Sequence, residues 1–185
     1  IASAEIETRP RFWAPAGWAL ANNNRGEEAR SFAEAIRNNP NAGEFERYEA
    51  DLFQSAASAH NDDHDNWDLL PQRWPAPPKY AEPSQMVIHS VSLAHRAILS
   101  GRPETGRQCL NMPLIAPNPS RPSAPVSLSF AEALRGLSYL WEGKPLTAAG
   151  ILRQGLTSAE ASMDRRSRAA LTLAALLAEA ALASG

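Results

Sequence analysis

The hydrophobic pattern between residues 126 and 162 predicts two helices joined by a tight turn. One face of the first helix carries three residues at the i, i+3 and i+4 spacing, which are Gly136, Tyr139 and Leu140. Gly143 is of the type that ends a helix in the left-handed conformation, and Pro145 suits the first turn of the next helix. The second helix repeats the spacing at Ala148, Ile151 and Leu152. Because small residues face each other, the two antiparallel helices are expected to approach closely.

The same template recurs along the chain when each turn residue is taken as an anchor. The anchors are all Gly or Asn, which tolerate positive φ at a helix end, and they are Asn24, Asn61, Gly101 and Gly143. The residues five, eight and nine positions after each anchor repeat the pattern. They are Ala29, Phe32 and Ala33 after Asn24; Asn66, Leu69 and Leu70 after Asn61; and Gly106, Cys109 and Leu110 after Gly101. The anchors are roughly 40 residues apart, a period typical of stacked helical repeats. The sequence therefore predicts an all-α fold of about four stacked antiparallel helical hairpins, at about 10–37, 44–74, 84–112 and 126–162, with a last helix at 165–184.

Composition fits one helical-repeat domain over residues 1–185. Hydrophobic residues make up 44% of the chain, enough for a core, and charged residues 21%. The net charge of −2 argues against direct contact with nucleic acid. Cys109 is the one cysteine and cannot form an internal disulfide, which suits a reducing, cytoplasmic setting. The chain starts at Ile1 rather than Met, which either processing or a cut from a larger protein would explain, and we expect it to be a fragment.

The third predicted helix spans residues 44–60, and a polar segment that starts at its last residue offers the residue types of a metal site. It supplies two imidazoles and three carboxylates, from His60, Asp62, Asp63, His64 and Asp65. Neither the EF-hand spacing nor a His-Glu-x-x-His helix is present. Capping of the following helix by Asp62 or Asp63 is the favoured interpretation. We therefore expect no metal and no cofactor in this chain.

Two proline-rich segments predict connections rather than helices. Residues 71–83 are expected to be a stiff, extended connector, with a polyproline ligand as the less favoured interpretation. Residues 112–125 contain five prolines and are predicted to form a loop.

The last predicted helix is apolar nearly all round. Thr172 and Glu179 interrupt the apolar run, which is too short for a membrane span. Leu173, Leu176 and Leu177 are expected to be partly uncovered or covered by a second copy. We therefore expect homodimer formation through this helix.

Two sets of residues resemble known families. The first resembles tetratricopeptide spacing and comprises Trp13, Gly17, Leu20, Asn24, Ala29 and Ala33, and again Gly136, Tyr139, Gly143, Ala148 and Leu152. More narrowly, five short segments resemble the middle region of MalT-like regulators of the LuxR class: Glu46–Glu49, Asn61–Asp63, Trp74–Pro75, Gly101–Glu104 and Leu176–Ala180. The resemblance covers most of residues 10–185.

Regulators of this class combine an ATP-binding domain, a helical-repeat sensor and a C-terminal DNA-binding helix-turn-helix. The resemblance implies that this chain is the sensor, attached to the other two domains and binding a small-molecule inducer or a regulatory protein. The chain itself has no Gly-x-x-x-x-Gly-Lys-Ser/Thr loop and no basic recognition helix. ATP hydrolysis and DNA contact are therefore not assigned to these residues.

The favoured function is a non-catalytic sensor or protein-interaction module of a transcriptional regulator. The alternative is a free-standing helical-repeat scaffold or adaptor with a protein client. An enzyme is not expected, because no Ser-His-Asp, Cys-His or paired-carboxylate arrangement stands out.

The binding surface is predicted from the tetratricopeptide register. First helices of stacked hairpins line the inner, concave face that such solenoids use for binding. Counting back from the turn residues places six candidates there: Arg11, Trp18, Tyr48, Asp51, His95 and Trp141. The aromatic members would supply flat contact area, and Arg11 with His95 would meet an anionic group. The competing interpretation is that Trp18 and Trp141 only fill space between hairpins.

Overall fold

The computed structural model describes residues 12–23, 25–60, 69–111, 123–163 and 167–185. Helices make up 81% of this described part, and no strand occurs within it. The prediction of an all-α fold is therefore confirmed. The chain divides into two compact units, Ile1–Ala81 and Glu82–Gly185, which are described separately.

The first unit contains four described helices: α1 (Trp13–Asn22), α2 (Gly26–Asn38), α3 (Glu44–His60) and α4 (Leu69–Arg73). Helix α3 packs against the other three, and α1 also packs against α2. The apolar residues predicted for the second helix, Ala29, Phe32 and Ala33, are buried, and Ile36 on the same helix is buried with them. Close approach of α1 to α3 depends on Gly17, where an added Cβ would lie 2.3 Å from Cε1 of Phe53.

Helix boundaries in the first unit follow the sequence pattern except at α4. Helix α3 has the predicted bounds, whereas α4 continues through Pro71 to Arg73, beyond the predicted start of the extended connector. Proline is tolerated in the first turn of a helix, where its missing N–H has no intrahelical partner to lose. Pro71 is the third residue of α4, so the helix includes it.

The second unit contains five described helices: α5 (Pro83–Leu99), α6 (Pro103–Leu110), α7 (Ser123–Trp141), α8 (Pro145–Ser162) and α9 (Arg168–Ala183). Helices α5, α6 and α7 pack pairwise, and so do α7, α8 and α9. The close approach predicted at Gly136 is confirmed, since an added Cβ would lie 2.4 Å from Cγ of Leu152. The loop predicted up to Pro125 is wrong at its end: α7 begins at Ser123 and accommodates Pro125 in its first turn.

The two glycine turns in the second unit have the predicted left-handed conformation. Gly101 has φ 74° and Gly143 has φ 70°. After α7, the amide of Lys144 donates to the carbonyl of Tyr139 at 2.9 Å, and that of Gly143 donates to Leu140 at 2.9 Å. The same pair of bonds, the Schellman motif, closes α5 at Gly101. The other two predicted anchors, at positions 24 and 61, lie outside the described residues.

Burial on α9 differs from the expectation for Leu173. Leu173 is fully buried within the chain, while Leu176 and Leu177 are half-buried against the same core cluster. Gly155 on α8 leaves room for Leu173, since a Cβ added at position 155 would lie 3.1 Å from Cδ2 of Leu173. The expectation that Leu173 is uncovered is therefore wrong. Homodimer formation through α9 stays a prediction.

Candidate binding site

A buried carboxylate on α3 organises the polar contacts of the first unit. Oδ1 of Asp51 accepts hydrogen bonds from Nη1 of Arg37 at 2.9 Å and Nη1 of Arg73 at 3.1 Å. Oδ2 accepts from Nε1 of Trp74 at 2.9 Å. Nη1 of Arg37 also donates to Oε1 of Gln54 at 2.6 Å. We call these five residues the Asp51 cluster; it joins α3 to the end of α2 and to α4 with the residue that follows it.

Aromatic rings extend the Asp51 cluster. The rings of Tyr48 and Trp74 meet edge to face with centroids 5.1 Å apart, and Tyr80 meets Tyr48 at 6.4 Å. Tyr48 is fully buried, and this burial raises the pKa of its hydroxyl. Two predicted candidates, Tyr48 and Asp51, are thus brought together by Trp74. Both are interior groups, so the accessible members of this region are Arg73 and Tyr80.

Trp18 of α1 contacts a different part of α3. Its Nε1 donates to Oε2 of the buried Glu49 at 3.1 Å, and its ring meets that of Phe53 edge to face. A half-buried tryptophan with its N–H satisfied by an interior carboxylate contributes to the packing of α1 on α3. This geometry favours the space-filling interpretation of Trp18.

Trp141 is placed quite differently, at the C-terminal end of α7. Its side chain is 49% exposed, and Leu146, just past the turn on α8, is 77% exposed. Next to this turn, Arg107 of α6 pairs with Glu142 at 2.5 Å and lies over the ring of Tyr139. Hydrogen bonds from Lys144 and Arg107 lower the pKa of Glu142. We call the exposed pair Trp141 and Leu146 the hairpin-end patch.

The described members of the predicted candidate set belong to both units of the chain. Trp18, Tyr48 and Asp51 lie on α1 and α3 of the first unit, and His95 and Trp141 lie on α5 and α7 of the second unit, with His95 half-buried. Arg11 lies outside the described residues. Their shared role in ligand binding stays a prediction.

Sequence reasoning missed most of the Asp51 cluster. Arg37, Gln54 and the adjacent pair Arg73 and Trp74 come from three separate segments of the chain, and no repeat spacing relates these segments. The usable signal was Asp51 itself, a carboxylate within the apolar pattern of α3, because a buried charge requires paired donors.

Metal-binding geometry is absent from the part of the chain that the structure describes, which holds no group of three or more His, Cys, Asp or Glu side chains suited to a metal ion. The His, Asp and Asn residues at 61–66 lie outside that part. His89 on α5 is fully buried, and burial lowers its pKa to about 4, so it is held neutral.

Comparison with models of protein families, with curated proteins and with solved structures finds no match to this chain. The resemblance to MalT-like regulators therefore stays a prediction. Among the helices of the described residues, none is long and apolar enough to cross a bilayer.

Proposed function

We propose that this chain is a non-catalytic binding module that engages an inducer or a protein partner through the hairpin-end patch. The single observation that carries this proposal is the exposure of a tryptophan and a leucine on either side of one turn. Large aromatic side chains provide much of the binding energy at interfaces, and they are costly to leave in water.

Rigidity at the end of the α7–α8 hairpin supports the same proposal. The turn is fixed by its left-handed glycine and by the two backbone bonds that close α7. Arg107 also attaches α6 to the end of α7, since its guanidinium donates a hydrogen bond to Oγ of Ser138 at 3.3 Å. A side chain held on a rigid support loses less conformational entropy on binding than one on a mobile loop.

Membership of a MalT-like, LuxR-class regulator is our proposal for the larger protein. It rests on the sequence resemblance alone. The alternative is a helical-repeat adaptor with a protein client, and the same patch would serve it. The full-length gene product distinguishes these two: a nucleotide-binding domain before this chain and a helix-turn-helix after it are expected for the regulator.

Binding through the hairpin-end patch is tested by photo-crosslinking. A photoreactive amino acid replaces Trp141 in the full-length gene product, and a matched control places it at Arg153, an exposed position on α8. We expect a discrete adduct from position 141 that disappears when Leu146→Asp is added, with helix content unchanged by circular dichroism. Equal adducts from both positions, or an adduct that survives Leu146→Asp, would contradict the proposal.

A further inference from the structure

We propose that the Asp51 cluster is a binding site for a small oxyanion, meaning a carboxylate or phosphate group, which accepts hydrogen bonds from Arg73 and Gln54. The site belongs to the first unit and does not depend on the hairpin-end patch. Three independent features of the cluster carry the proposal: its charge balance, its excess of donors and the exposure of Arg73.

Charge balance in the cluster favours an additional anion. Two guanidinium groups, of Arg37 and Arg73, contact the same carboxylate oxygen of Asp51. Arginine keeps its charge in proteins, so one negative charge faces two positive charges. The side chains of Arg37 and Asp51 are 12% and 2% exposed, so these two charges pair in the interior. The excess positive charge then lies on Arg73, whose side chain is 45% exposed and faces solvent.

Hydrogen-bond donors also outnumber acceptors. Both protons of Nη1 of Arg37 are committed, to Asp51 and to Oε1 of Gln54. The other amide atom, Nε2 of Gln54, is buried and has no hydrogen-bond partner among the described residues. Because Nε2 and Oε1 share one amide carbon, this spare donor lies beside the Arg37 guanidinium. A buried amide donor of this kind requires an acceptor, and an oxyanion supplies one.

Arg73 gives a ligand access to the cluster. Its side chain is 45% exposed, and it contacts Asp51 through Nη1 alone. The remaining nitrogens of a guanidinium form a planar edge that matches the two oxygens of a carboxylate or phosphate. The neighbouring indole of Trp74 is fixed by its bond to Asp51, so it provides a rigid wall for the organic part of a ligand.

The test is a titration of the full chain followed by side-chain NMR. Sodium acetate and inorganic phosphate are added separately at constant ionic strength, and the signals of Gln54 Nε2 and Arg73 Nε are monitored. We expect saturable shifts of both signals with at least one anion. The anion that saturates at the lower concentration identifies whether the site takes a carboxylate or a phosphate.

Three variants make the titration decisive. Arg73→Gln is expected to weaken anion binding by about tenfold or more, because a charged hydrogen-bonding partner is lost. Arg47→Gln, an exposed arginine on α3, is the matched control and is expected to leave affinity unchanged. Gln54→Glu places a carboxylate oxygen where the anion is needed, so it is expected to abolish binding while the helix content is retained. Non-saturating shifts, or equal effects of Arg73→Gln and Arg47→Gln, would mean adventitious ion binding only and overturn the proposal.

Discussion

Replacing Gly136 with Ala tests the closest helix contact in the second unit. The added Cβ would lie 2.4 Å from both Cγ and Cδ2 of Leu152, a distance at which side chains must move. Leu152 is fully buried between helices, so it has little room to give way. The substitution is therefore expected to strain the α7–α8 contact.

Two opposing terms determine the size of the effect. Overpacking in a well-packed core typically costs about 1–3 kcal/mol. Replacing glycine by alanine within a helix returns about 0.5–1 kcal/mol, because glycine loses more backbone entropy on folding. The net expectation is a loss of roughly 0–2.5 kcal/mol in the free energy of unfolding, with a central value of about 1 kcal/mol.

Gly150→Ala is the matched control on the partner helix. Gly150 lies inside α8, and an added Cβ would meet nothing within 4 Å. Only the entropy term then applies, so this variant is expected to gain up to about 1 kcal/mol. Urea unfolding followed by far-UV circular dichroism measures both variants. If Gly136→Ala stabilised the protein as Gly150→Ala does, the close approach of α7 and α8 would be refuted.

Three further predictions follow from local geometry. Gly143→Val is expected to cost on the order of 1–2 kcal/mol in thermal unfolding, because φ is 70° there, and an unchanged melting temperature would contradict the turn assignment. His89 is held neutral with a pKa of about 4 against 6.5 in the unfolded chain, so the unfolded state takes up the proton first as pH falls. Stability is then expected to decrease by about 3 kcal/mol between pH 6.5 and pH 4, and His89→Leu should remove that component of the pH dependence. Trp18→Ala is expected to lower the free energy of unfolding by about 3–5 kcal/mol, because the ring of Trp18 packs on α3. Trp141→Ala is expected to lower it clearly less, because Trp141 is half-exposed. Equal losses in the two variants would assign Trp141 to the core.

Local sequence signals were sufficient for the helices and for two turns. Gly101 and Gly143 adopt a left-handed backbone conformation that depends on only a few neighbouring residues. The spacing between each glycine and the apolar residues that follow it was therefore enough to locate both turns. The same holds for the bounds of α3, where the apolar periodicity is continuous.

Contacts between distant segments were beyond the reach of the pattern. The burial of Leu173 depends on Gly155 of another helix, and the pairing of Asp51 with Arg37 and Arg73 depends on how three helices pack. The predicted boundaries of α4 and α7 were wrong because proline was taken to exclude a helix. Proline is tolerated in the first turn of a helix, so its effect can be predicted only when the start of the helix is known.

The most direct test of the proposed binding function is the crosslinking yield at position 141 relative to position 153 in the full-length gene product. A binding surface at the hairpin end predicts an adduct of one defined mass from position 141 and none from position 153, with loss of the adduct in the Leu146→Asp background. No adduct at position 141, or the same adducts at both positions, would contradict the proposed function.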